Sequence, residues 1–256
     1  MDRAVVAERL TLAGCVFPDV EAEALLLAAG DDHRRQEYFL RRRESGEPMA
    51  WITGFTSFCG CSVKVATGVY VPRPHSENLA MRAASVLPQH GRAIDLGTGS
   101  GAVALVMQSL RPEAKVMGVE CDHVAAECAR SNQVTVAEGD LFAPVPRSWW
   151  GGVDVITGVL PYVPTRELAY LPHDVLAFEP RRALDGGDDG LGLVGRACQE
   201  APRWLRPGGH LLMEVGGDQA NRVHALLQTL GLDLVELLRD EDHDLRGLHA
   251  VLGTSS

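Results

Sequence analysis

Ala93-Ile94-Asp95-Leu96-Gly97-Thr98-Gly99-Ser100-Gly101 is a short apolar run that ends in an acid and then turns through three alternating glycines. It reads as a buried parallel strand entering a helix N-terminus, with the helix expected from Ala102 to about Leu110. Glycine accepts positive φ and lets a ligand approach the backbone, while the free N–H groups of the first helical turn form a polarised rim. The G-x-G-x-G spacing differs from the G-x-G-x-x-G of dinucleotide turns, and alone it is a weak signal.

The flanking sequence strengthens the reading. Lys115 to Val119 resembles a second strand, with Glu120 where an acid grips a ribose diol in a βαβ nucleotide site. Val134 to Glu138 forms a third, and its sequel Gly139-Asp140-Leu141 puts another carboxylate at the same edge, suited to an adenine amino group. Either acid alone is more simply a cap; the ordered set is not. Acids and a glycine turn at successive strand ends, with no cation expected beside them, fit a neutral or cationic nucleoside better than a pyrophosphate. This implies S-adenosylmethionine.

The 256 residues suffice for one α/β domain plus a small appendage, and 46% hydrophobic with 23% charged is ordinary for a globular chain. A net charge of −10 argues against affinity through phosphate neutralisation, so no direct nucleic-acid partner is expected. No stretch approaches the roughly 20 apolar residues of a membrane helix, and Met1-Asp2-Arg3 opens an amphipathic pattern with no signal-peptide core. A cytoplasmic location with no membrane partner is expected. Of six cysteines, Cys59-x-Cys61 is the close pair; alternation would place both on one strand face, and neither a disulfide nor a metal site is expected.

Residues 3–13, 20–29 and about 31–43 carry helical spacing and define a helical unit over residues 1–50. Arg34, Arg35 and Arg41 to Arg43 give it a basic side, read as a solvated face. Residues 51–75 suggest a hairpin linker with Gly68 at its turn. Val71-Pro72-Arg73-Pro74 must be extended, delivering His75, Ser76 and Glu77 to a helix start near Asn78 and to the main domain, residues 76–256. A fourth strand, Val153 to Thr157, leads to Gly158-Val159-Leu160-Pro161-Tyr162 at the edge where open α/β sheets bind substrate. Strands at His210 to Val215, Leu232 to Leu238 and His249 to Leu252 follow, the last two joined by a loop and so antiparallel.

Several motifs in series then carry a family resemblance. They are Arg43-x-x-Gly46-Glu47-Pro48, Val71-Pro72-Arg73-Pro74-x-x-Glu77, the glycine turn, Gly139-Asp140-Leu141-Phe142, Glu179-Pro180-x-x-Ala183-Leu184 and Glu214-Val215-Gly216-x-x-Gln219. The series resembles the class I methyltransferases of the HemK/PrmC type, which modify the glutamine side-chain amide of peptide release factors, and looks closest to a shorter branch of them. The resemblance implies an α/β, Rossmann-like sheet of seven strands with one antiparallel edge strand, a small N-terminal helical domain for substrate recognition, and S-adenosylmethionine as methyl donor. It places donor contacts on Asp95, Gly97, Thr98, Gly99, Ser100, Gly101, Glu120, Cys121, Asp140 and Leu141, with Arg73 from the proline loop. The acceptor slot falls on Val159, Leu160, Pro161 and Tyr162.

Here this chain departs from the family, whose loop begins with asparagine where Val159 stands. An amide nitrogen is a poor nucleophile, and the asparagine oxygen holds one of its N–H hydrogens while the nitrogen is aimed at the methyl group. An unpaired buried N–H costs about 1–3 kcal/mol, or one to two powers of ten in rate. The expected function is therefore methyl transfer to nitrogen or oxygen of a protein side chain or specialised metabolite other than the usual glutamine. Two alternatives keep the cofactor: an intramolecular displacement within it, and a binding module without chemistry. His75, Glu77 and His173 are polar groups at the pocket mouth, read as structural or solvent-facing.

Overall fold

The structure, a computed structural model, describes residues 1–254 apart from the side chain of His173. Three helices open the chain: α1 (Arg3–Leu12), α2 (Pro18–Ala29) and α3 (His33–Glu44). Asp2 accepts from the N–H of Ala4, Asp32 accepts from Arg34 and Arg35, and α2 starts on a proline that needs no partner there. Val6, Leu10, Leu25, Phe39 and Leu40 bury their apolar faces against one another, joined by Ile52.

Three expectations about this part of the chain are corrected. Arg42 and Arg43 do not form a solvated face: they pair inside the unit with Glu47 and with Glu21 (2.6 Å), their side chains 21% and 14% exposed. Residues 49–53 make a short helix, α4 (Met49–Thr53), and the hairpin is β1 (Phe55–Phe58) with β2 (Cys61–Lys64). Its turn is Cys59-Gly60, with φ of 48° and 73°, the paired left-handed geometry that suits the twist of a two-residue hairpin. Cys59 therefore sits in the turn instead of sharing a strand face with Cys61, and Gly68 lies beyond the hairpin.

The main domain alternates helix and strand: α5 (Glu77–Val86), β3 (Arg92–Leu96), α6 (Ala102–Leu110), β4 (Lys115–Glu120), α7 (His123–Ser131), β5 (Thr135–Glu138), β6 (Val153–Gly158), α8 (His173–Phe178), α9 (Gly192–Trp204), β7 (Leu205–Glu214), α10 (Gln219–Thr229), β8 (Leu232–Arg239) and β9 (Leu245–Leu252). Among the described residues seven strands join in the order β5-β4-β3-β6-β7-β9-β8. The pairs from β5 through β7 are parallel, whereas β9 runs antiparallel to both β7 and β8, so the reversed strand stands beside the sheet's edge.

Every residue of β6 is buried, as a central parallel strand covered on both faces requires. Alternation along β3 shows the two layers: Ala93 packs with α5 and α6, and its neighbour Ile94 packs with α9 and α10. Strand β7 begins five residues before His210, because a bulge against β6 between Val153 and Val155 absorbs Pro207-Gly208-Gly209. Chain order runs one way from β3 through β4 to β5 and the other way through β6 to β7. That reversal opens a crevice at the carboxyl ends of β3 and β6. Among the described residues no helix is long and apolar enough to cross a membrane.

Candidate active site

The glycine turn builds one wall of this crevice. Gly97, Gly99 and Gly101 take φ of 61°, 57° and 84°, a left-handed alternation that β-carbons would strain. The turn is held from three sides. Thr98 donates its N–H to Val119, and Gly101 donates to Thr98. Asn132, buried behind the turn, donates to the Ser100 carbonyl (2.9 Å) while pairing with both backbone groups of Lys64 in β2. Asp95 is 2% exposed and accepts hydroxyl protons from Thr98 (2.6 Å) and Thr157 (2.7 Å). Burial pushes its carboxyl up to about 6 despite those bonds.

Glu120 faces the turn from the end of β4. Its Oε2 accepts the N–H of Gly99 (2.9 Å), and its Oε1 accepts those of Cys121 and Asp122 (2.9 Å each). Three main-chain donors thus fix the carboxylate and leave Oε2 with acceptor capacity on the crevice side. Asp140 and Leu141 follow β5 on the same rim, where Asp140 is held by Arg196 at 2.6 Å.

The crevice also contains cations, Arg73 as the resemblance implies and Arg182 against the expectation of no positive charge beside the acids. Arg182 pairs with Asp122, and Arg73 pairs with Glu179 and lies over the Tyr70 ring, so each positive charge is matched.

Of the residues expected to bind a donor, Asp95, Gly97, Thr98, Gly99, Ser100, Glu120, Cys121, Asp140, Leu141 and Arg73 line this space of about 1100 Å³, its open mouth included. Gly101 does not. It stands behind the wall, where a β-carbon would meet Val134 at 2.9 Å and Ala129 at 3.1 Å.

A second space, about 2020 Å³ with its mouth, runs between the helical unit and the main domain. Ala13 to Phe17 and Arg43 to Gly46 form one bank, with His75, Tyr162, Leu171, Pro172, Asp174 and Val175 on the other. Val159 and Leu160 line both spaces, as do Tyr70, Arg73 and Ala183. Pro161 belongs to the crevice and Tyr162 to the groove, so the four-residue loop is split across the partition.

Gln219 pins that loop: its Nε2 donates to the carbonyls of Tyr162 (2.8 Å) and Asp189 (3.1 Å), and its Oε1 accepts from Gly216. Gly190 is required where the two segments cross, since a β-carbon there would lie 2.1 Å from the Tyr162 carbonyl oxygen.

Glu77 is structural: its Oε1 accepts the N–H of Cys59 at the hairpin turn. The side chain of His173 lies outside the described residues. Tyr70 and Arg182 are marked by neither type nor spacing, and Glu179 enters only as the first residue of a motif with no role assigned to it. The flanking proline motif and the Glu179-Pro180-x-x-Ala183 motif were the signals that could have drawn attention to them.

A strand order with one reversed strand, a glycine turn at its switch point and acids on the next strand ends define a class I methyltransferase. The family model described as "Methyltransferase small domain" matches residues 76–145. The chain is 38% identical over 216 residues to the release factor glutamine methyltransferase of Neisseria gonorrhoeae, covering 81% of this chain and 77% of that protein. To the protein of the same name from Caulobacter vibrioides it is 32% identical over 262 residues, 93% of this chain and 91% of the other. A solved methyltransferase from Pyrococcus furiosus shares the fold at a TM-score of 0.52 and 20% identity, over 75% of this chain and 90% of that one. The chain belongs to the release factor glutamine methyltransferase family.

Proposed function

We propose that this protein transfers a methyl group from S-adenosylmethionine, held in the crevice, to a side chain of a protein acceptor that enters by the groove. The partition carries the reading: two spaces of different character meet at Val159 and Leu160, where a methyl group can pass between ligands that enter from opposite sides.

The crevice residues fit this donor. A β-carbon at Gly99 would project into open space with only the Gly97 carbonyl oxygen within 4 Å, so the turn is shaped for close approach by a ligand. Glu120 Oε2 is placed for a ribose hydroxyl, and Asp140, shared with Arg196, for an adenine amino group. When bound, S-adenosylmethionine supplies an electrophilic methyl on a sulfonium. The protein's part would be positioning: Tyr70, Val159 and Leu160, which line both spaces, would flank a transfer between them and exclude water from it, with proximity supplying most of the acceleration.

A protein acceptor is favoured by the groove's width and by its apolar bank, where Val16 and Phe17 are 78% and 67% exposed. The relatives are named for a release factor glutamine. Val159 lacks the side-chain oxygen that would hold such an amide, which favours a different nucleophile on nitrogen or oxygen. Titration calorimetry with S-adenosylmethionine tests the donor assignment, and absence of binding would refute it. Product analysis tests the reaction: S-adenosylhomocysteine formed only with an acceptor supports transfer, and methylthioadenosine formed without one refutes it.

A further inference from the structure

Methyl transfer by positioning leaves one polar cluster on the groove wall without a task. Glu214, the last residue of β7, is 1% exposed; its Oε2 accepts from Ser76 Oγ at 2.6 Å. Its Oε1 has no hydrogen bond and lies 3.3 Å from His75 Nε2, a buried nitrogen that also has none. The His75 side chain is 25% exposed and lines the groove with Tyr162 and Val159. A buried carboxylate with an idle oxygen is costly, and the cost is offset only when the oxygen meets a proton donor or a positive charge.

The surrounding groups leave His75 as the one to move a proton. Burial, with the nearby Glu214 charge, pushes the phenols of Tyr70 and Tyr162 up, so both stay protonated at neutral pH. Glu179 is tied to Arg73. Ser76 is occupied with Glu214.

We propose that His75, oriented by Glu214, is the general base for the acceptor, and that the acceptor is an acid such as a lysine-type ammonium or a tyrosine-type phenol instead of a carboxamide. The proposal rests on the methyltransferase reading above. Glu214 accepts Nε2–H, which fixes the tautomer, leaves Nδ1 bare toward the groove and stabilises the imidazolium once formed. The acceptor's X–H bond breaks with its proton going to Nδ1, X gives an electron pair to the methyl carbon, and the C–S pair of the donor passes to sulfur; His75 then releases the proton to solvent through the groove. Such acids have pKa values near 10, and a positioned base typically contributes about 10²–10⁴ in rate. Val159 is consistent with this role, because a nucleophile freed of its proton needs no side-chain oxygen to hold an amide hydrogen.

Two measurements on the full-length protein decide the matter. Long-range proton–nitrogen NMR should find His75 as the Nε2–H tautomer, with that proton slow to exchange with solvent in the unaltered protein and fast in Glu214→Leu; Nδ1–H, or an equally fast Nε2–H, in the unaltered protein would overturn the proposal. Methyl transfer from S-adenosylmethionine to three peptides, alike except for lysine, tyrosine or glutamine at one position, should favour lysine or tyrosine. His75→Gln should then lower kcat about 100-fold, with KM and donor affinity held within about threefold. Transfer confined to the glutamine peptide, or unchanged kcat in His75→Gln, would refute it. If all three peptides are inert while the donor binds, the tautomer alone decides. Failure of the donor to bind would strike the methyltransferase reading and not the histidine.

Discussion

The crevice and the groove meet at the same few residues yet are made differently. The crevice is shaped by main chain: three left-handed glycines, the N–H groups that Glu120 gathers, and the ends of adjacent parallel strands in one sheet. The groove is assembled from side chains of segments far apart in the chain, between helices that share no sheet. A surface of backbone keeps its chemistry while most surrounding side chains vary, whereas a surface of side chains changes its chemistry with single replacements. Val159 is such a replacement, and it faces the groove together with His75.

If the contrast holds, the costliest substitution lies at the crevice's hidden support. Gly101→Val adds a β-carbon at positive φ and 2.9 Å from Val134, which should destabilise the protein by about 3–5 kcal/mol in urea unfolding. Phe17→Ser on the groove's exposed bank should stay within about 0.5 kcal/mol. Equal losses at the two would break the comparison.

Next in size is a pH effect seated under the turn. Burial raises the folded-state pKa of Asp95 from 3.8 to about 6, so between those values the native state binds its proton more tightly than the unfolded chain. Asp95's contribution is therefore most favourable below about pH 4 and declines as pH rises to about 6, by roughly 3 kcal/mol in all. Unfolding measured from pH 4 to 7 should show that decline, and Asp95→Asn should flatten it. Carboxylates with lowered values, Glu37 at about 2 among them, lose their contribution on acidification and act below this window.

Smaller again is Glu120→Gln, which turns an amide NH₂ toward main-chain donors that a carboxylate satisfied. S-adenosylmethionine affinity should fall about 10- to 100-fold by calorimetry, while the groove, probed by acceptor KM, is little affected. The smallest effect sharpens the groove side. Val159→Asn should raise methylation of a release-factor glutamine about tenfold from a low baseline, read as incorporation of labelled methyl. No rise would show that the side chain matters less than its position suggests.

Much of the sheet was legible because strand cores are apolar runs bounded by glycines and acids, and Asp95, Glu120 and Asp140 mark successive strand ends in order. The hairpin was misplaced because Cys59 occupies a turn position that glycine or asparagine usually fills, and only the pairing of Phe58 with Cys61 reveals it. Arg43 looked solvated because a local window does not contain Glu21, and Arg42 because its partner Glu47 lies beyond the end of the helix, where helical spacing does not mark a pair. The Glu214–His75 contact joins residues 139 positions apart, and spacing within either segment does not announce it. Asn132 was silent for the same reason: its partners Lys64 and Ser100 lie on two other elements.

The partition formed by Tyr70, Arg73, Val159, Leu160 and Ala183 belongs to two chambers at once. Reshaping it for a new guest on one side necessarily remoulds the seat on the other. Substitutions along this shared wall will therefore combine non-additively, because each one changes the shape of both chambers.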